Sequence, residues 1–263
     1  MKIALKIAYD GTNYAGWQRQ PNVKSVQEEI ETALLQLFGQ NVPILGASRT
    51  DAGVHANGQC ATFELPKMPI PLQKLPTVVN SRLPSDIAVL SAKEVDPNFS
   101  ARFDAISKTY IYKIYNSPIR NPLICRYAAF VPQNLNLPQM QQAAQHFVGT
   151  YDFSAFCASG SSAKTAVRTI FMCEVYETAE NYETAQINLS QNEQKTSKSR
   201  VICIKITGNA FLYNMVRIIA GTLLYVGFNK TLDIPKIISS KNRANAGKTM
   251  PACGLLLHEI LYD

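Results

Sequence analysis

Histidine is scarce in this chain: His55, His146 and His258 are the only three among 263 residues, and they stand far apart. The six cysteines (Cys60, Cys125, Cys157, Cys173, Cys203, Cys253) are scattered, with no CxxC pair. Together these leave no zinc-type ligand spacing. Low-complexity tracts and a clear linker are also missing. The N-terminal "MKIALKIAYD" does not read as a signal peptide, because Lys2 and Lys6 interrupt the apolar run and no cleavage site follows. Reduced thiols in a cytoplasmic protein are therefore expected. The longest apolar stretch, "FLYNMVRIIAGTLLYVGF", has nearly transmembrane length. Asn214 and Arg217 at its middle would be costly in lipid, so it reads as a buried helix.

What is present is ordinary in bulk and pointed in charge. A hydrophobic content of 46% and a charged content of 17% place the chain among globular proteins, long enough for one large domain or two small ones. The formal charge of +7, with a pI near 9.1, favours polyanionic partners, nucleic acid first and a membrane surface second. Surplus surface lysines account for the charge equally well.

Periodicity orders the chain. "KIALKIAY" alternates apolar and polar faces as a half-buried strand. "SVQE" opens a helix with Ser25 as N-cap, and Gly39 stops it. Strands are expected near 42–48, 57–65 and 86–95, with a proline-interrupted helix near 72–82. That order is β-α-β-β-α-β. The second half repeats it: a strand over 106–116, a helix near 137–148 opened by Asn136 and Pro138, strands near 167–177 and 201–207, a helix near 211–226 and a last strand near 254–262. The expected fold is α+β, two tandem ferredoxin-like units (1–104 and 105–263) related by a pseudo-twofold axis. Their antiparallel sheets would lie side by side around a central cleft suited to a long substrate. Residues 178–200 are polar and read as an exposed excursion between two strands.

"ASRTDAGVHANGQ", residues 47–59, is too polar for a core and joins two of the expected strands. Asp51 sits there between Thr50 and the small pair Ala52-Gly53, where a side chain can project into a cleft. An isolated loop aspartate more often bonds only its own backbone. Arg49, two residues earlier, points to an ion pair or a shared substrate instead. His55 could partner Asp51 as a dyad, although a capping or packing histidine explains it more simply. In "SKTYIYKIY" basic and aromatic residues interleave, and Tyr110 could stack on an unpaired base. A strand that merely favours tyrosine accounts for it equally. Arg217 lies among Val216, Ile218, Ile219 and Ala220, so it needs a carboxylate or phosphate, with Asp51 a candidate, or must snorkel to the surface.

At these residues the chain resembles a known family. "RTDAGVHA", "ARFDAISKTYIY", "DFSAF", "VRTI", "FLYNMVRIIAGTL" and "AGKTMPACGLLL" follow the order and approximate spacing of the tRNA pseudouridine(38–40) synthases, the TruA-type enzymes, from about residue 3 to residue 261. The resemblance implies that Asp51 is the catalytic aspartate and that Arg49 enters the RNA where the target nucleotide is flipped out. It implies that Tyr110 stacks on the target uracil and that Arg217 pairs with the aspartate. It implies a homodimer acting on uridines 38, 39 and 40 of the tRNA anticodon arm, with no metal and no organic cofactor. Ser48 departs from the pattern, standing where the family usually has glycine, and the 178–200 excursion looks longer than usual.

Isomerising uridine to pseudouridine oxidises nothing and imports no group. It needs a carboxylate at C1′ or C6 and a base taken out of the stack. Two rivals remain beside that reading. A non-catalytic RNA-binding module would explain the tandem units and strand aromatics, but not an acid on a phosphate-binding surface. A nucleoside hydrolase using Asp51 and His55 would release free uracil.

Overall fold

Alternation in "KIALKIAY" produces the first strand of the computed structural model, β1 (Lys2–Tyr9), with Ile3, Leu5, Ile7 and Tyr9 buried. The structure describes residues 1–161, 163–178 and 199–263. Helix α1 (Val26–Phe38) starts where Ser25 Oγ accepts the Glu28 amide, and it ends at Gly39 in the left-handed conformation. Its inner face is Val26, Ile30, Ala33 and Leu34.

The strand expected over 42–48 is only β2 (Leu45–Gly46). Pro43 has no N–H to give a ladder, and beyond Ala47 the backbone turns to side chains: Ser48 bonds Gln59 instead of a neighbouring strand. β3 (His55–Glu64) pairs antiparallel with β1, placing Ile3 opposite Phe63. The helix expected over 72–82 splits into a 3₁₀ turn at Leu72–Lys74 and a short α2 (Leu75–Asn80), because Pro76 is tolerated only in a first turn. β4 (Ile87–Val95) pairs antiparallel with the other edge of β1. The strands run β4-β1-β3, with β2 on β3.

β5 (Ser107–Asn116) leads into the second half, buried along Tyr110, Ile111, Tyr112, Ile114 and Tyr115. A short α3 (Pro122–Cys125) precedes β6 (Ala129–Val131), which runs parallel to β5. α4 (Leu137–Gln145) begins at Asn136, whose side chain accepts the Gln139 amide. β7 (Gly149–Asp152) and β8 (Val167–Glu177) are antiparallel neighbours, and β8 pairs antiparallel with β9 (Arg200–Gly208). Most of the 178–200 excursion, residues 179–198, lies outside the described residues.

The helix expected from 211 starts later, as α5 (Met215–Gly227), because Asn214 before it is left-handed at φ 59°. Nearly all of α5 is buried, and it packs on α4. α6 (Ile234–Ser240) is capped by Asp233. β10 (Leu255–Leu261) then pairs in parallel with β3, Leu256 opposite His55. By internal contacts the chain forms two units, Met1–Tyr110 with Leu256–Asp263, and Ile111–Leu255. Each combines a mainly antiparallel sheet with helices. No helix among the described residues is long and apolar enough to cross a membrane.

Candidate active site

The segment between β2 and β3 is held at almost every residue. Ala47 N–H donates to Cys60 O at 2.8 Å, and Ala47 O accepts Lys108 Nζ at 2.7 Å. Ser48 is gripped by one side chain: its N–H donates to Gln59 Oε1 (3.3 Å) and its carbonyl accepts Gln59 Nε2 (2.7 Å). Gln59 is fully buried on the face of β3 that it shares with Ala61 and Phe63. Thr50 is buried, its hydroxyl 2.7 Å from Tyr9 Oη and its carbonyl accepting the Trp17 amide at 3.1 Å.

Asp51 then opens a tight turn in which its carbonyl accepts the Val54 N–H at 3.1 Å. Gly53, at φ 77°, takes the left-handed position of that turn and donates its N–H to Tyr14 O at 3.2 Å. From outside, Gly16 at φ 102° closes on the segment so tightly that a Cβ there would lie 2.4 Å from Thr50 O. Asp51 is thus half-buried on a backbone with little freedom, and Arg49, two residues before it, is exposed.

Tyr110, on β5, is brought to this turn. Its Oη lies 2.8 Å from Ser48 Oγ, and only 6% of the residue is exposed. Burial pushes the phenol up to about 12; the nearby Asp51 charge adds to that rise and the Ser48 hydrogen bond opposes it. Asp51 and Tyr110 are therefore electrostatic neighbours. Burial likewise pushes the Tyr9 phenol up, against its hydrogen bond to Thr50. Lys108, two residues before Tyr110, is lowered to about 8, mainly by burial and further by the Arg102 charge.

His55 is tied to the residues that follow β1. It is buried at the start of β3, where Nδ1 accepts the Gly11 N–H at 3.1 Å and stands 3.1 Å from Asp10 Oδ1. Arg217 belongs to the second unit, in the first turn of α5. Its Nε donates to Met250 O at 2.7 Å and its Nη1 to Asn214 Oδ1 at 2.5 Å. The "AGKTMPACG" stretch lies directly against α5, for a Cβ on Gly221 would fall 1.9 Å from Lys248 O.

Sequence reasoning missed Gln59, Tyr9 and Lys108. Gln59 had a readable signal, a polar residue in register with apolar ones. The other two are defined by long-range contacts and had none.

This constellation is a fixed carboxylate beside a buried phenol, flanked by cations, and it suits acid-centred chemistry on an anionic polymer. The sequence profile described as tRNA pseudouridine synthase matches residues 6–104 and 143–263. The chain belongs to that family. It is accordingly an isomerase. The tRNA pseudouridine synthase A of Caldicellulosiruptor saccharolyticus is 48% identical over 262 residues, 99% of each chain. That of Ruminiclostridium cellulolyticum is 46% identical over 263 residues, again 99% of each chain, and that of Bacillus pumilus 41% over 267 residues, the full length of both. Among solved structures, the archaeal box H/ACA sRNP Nop10-Cbf5 complex aligns with 85% of this chain and 43% of its own at a TM-score of 0.35 and 7% identity. That likeness is too weak to weigh on fold or function.

Proposed function

We propose that the enzyme converts uridine to pseudouridine at positions 38, 39 and 40 of the tRNA anticodon stem and loop, with Asp51 as the catalytic carboxylate and the target base flipped out of its stack. The observation that carries this reading is the Asp51 turn itself: a carboxylate on a clamped backbone, beside a buried aromatic ring. A carboxylate at that place can attack the sugar or the base, or stabilise charge at C1′ as the glycosidic bond opens. The bond C1′–N1 breaks and C1′–C5 forms. C5 loses a proton and N1 gains one, so the product is an isomer and no oxidant or co-substrate is consumed.

Tyr110 is the platform for the flipped uracil, and the exposed Arg49 is the side chain that enters the helix in its place. Arg217 takes the family role of the basic residue that keeps the aspartate ionised; its support is its position in the family pattern. The reading requires no metal and no organic cofactor. It includes a homodimer in the cytoplasm, with tRNA as partner.

We infer also that residues 1–104 and 105–263 are tandem ferredoxin-like halves. The support is topological. A ferredoxin-like unit has its last strand beside the first, the first beside the third and the third beside the second; β4-β1-β3-β2 has that order. In the second half β5-β9-β8 runs first, third, second, with α4 and α5 as the two crossovers.

Sequencing pseudouridines in unmodified tRNA after incubation with the purified enzyme tests the function. Pseudouridine at 38–40 with wild type, and none with Asp51→Asn, is expected. Modification confined to other positions would refute the site assignment, and free uracil would favour a hydrolase.

A further inference from the structure

Ser48 occupies a position where the family pattern usually has glycine, and in this chain its hydroxyl has a partner. Ser48 Oγ and Tyr110 Oη are 2.8 Å apart, and either can be the donor. The serine cannot drift, because Gln59 holds both its N–H and its carbonyl from a fully buried position. Tyr110 is buried, whereas Ser48 is half-buried. The hydroxyl pair therefore joins a buried ring to a residue with more exposed surface.

We propose that Ser48 is a positioning residue for the isomerisation: its hydroxyl fixes Tyr110 Oη and relays toward solvent the proton that leaves C5 of the uracil. The inference rests on the uridine isomerisation proposed above. Burial keeps Tyr110 protonated, so its oxygen accepts a proton from C5 only while giving its own away. Ser48 Oγ is the acceptor at hand. As the C5–H bond breaks, a new O–H forms on Tyr110 and its old proton passes to Ser48. The serine's own proton passes to water. One proton leaves and both side chains end as they began, with no electrons transferred.

Neutral hydrogen bonds of this kind contribute modestly, which corresponds to roughly a three- to tenfold change in rate. The test is single-turnover pseudouridine formation on intact tRNA by the full chain, with tRNA affinity and thermal melting measured alongside. Ser48→Ala should bind tRNA within about twofold of wild type and melt normally, while forming pseudouridine about three- to tenfold more slowly. Ser48→Thr, which keeps the hydroxyl, should recover most of that rate. In a Tyr110→Phe background the same alanine substitution should have no further effect, since the serine then has nothing to relay. A Ser48→Ala enzyme as fast as wild type, or one whose loss persists undiminished in the Tyr110→Phe background or is not recovered by threonine, overturns the proposal. Failure of the wild type itself to form pseudouridine would overturn the functional reading and this inference with it. A normal wild type with an indifferent Ser48→Ala sinks the serine alone.

Discussion

Lys108 shows how a single residue can carry the cost of building the site. Its ammonium is drawn in to bond Ala47 O at 2.7 Å, just before the Asp51 turn, and burial with the Arg102 charge lowers it from 10.5 to about 8. The unfolded chain therefore holds a proton between pH 8 and pH 10.5 that the folded chain has given up. By linkage, stability gains from this group as pH rises through that window, and the full penalty for burying the charge applies below it. Lys108→Met should abolish that gain: the stability of wild type minus variant in urea should rise from about pH 7.5 to about pH 9.5. A flat difference would show that Lys108 titrates normally. The residues at this scale were unequally legible. Asp51, Arg49, Tyr110 and Arg217 are candidates through the family resemblance, since residue type and local pattern alone left other readings open. The Ser48–Tyr110 and Lys108–Ala47 contacts join residues about sixty positions apart, and no local pattern encodes them.

The elements matter here because they aim the turn. The segment Tyr14–Trp17 braces it through Tyr14 O and the Trp17 amide, and the bracing depends on Gly16 having neither a side chain nor an ordinary φ. Gly16→Ala places a methyl 2.4 Å from Thr50 O on a backbone at φ 102°. It should cost about 1–3 kcal/mol in stability and slow pseudouridine formation further than the loss of folded enzyme explains. Unchanged denaturation and an unchanged rate would show that the brace is not needed. Where local chemistry decides an element, the sequence was a good guide: the alternation of β1, the Ser25 and Gly39 caps of α1, and Asn136 before α4 all appear as read. It was a poor guide where tertiary contacts take over backbone groups. β2 shrinks to two residues because side chains claim its continuation, and α5 starts four residues late behind a left-handed Asn214.

For the whole molecule, the +7 charge gains its meaning from the family to which the chain belongs. If tRNA is held largely through its phosphates, each neutralised phosphate contributes about −0.7 to −0.9 to the slope of log affinity against log salt. A steep slope is expected in filter binding between 50 and 200 mM salt (roughly the range over which such contacts weaken most visibly), and a flat response would contradict phosphate-based binding. Isomerisation of uridine at the proposed Asp51 site has a narrower chemical signature. Forming C1′–C5 puts the sugar where a hydrogen was, so the hydrogen on C5 must reach solvent in step with product. The decisive measurement uses tRNA tritiated at uracil C5, counting tritium in solvent beside pseudouridine formed. Wild type should release one tritium per pseudouridine with no free uracil, and Asp51→Asn should release none while still binding tRNA. Pseudouridine without matching tritium, or full release by Asp51→Asn, would contradict the account.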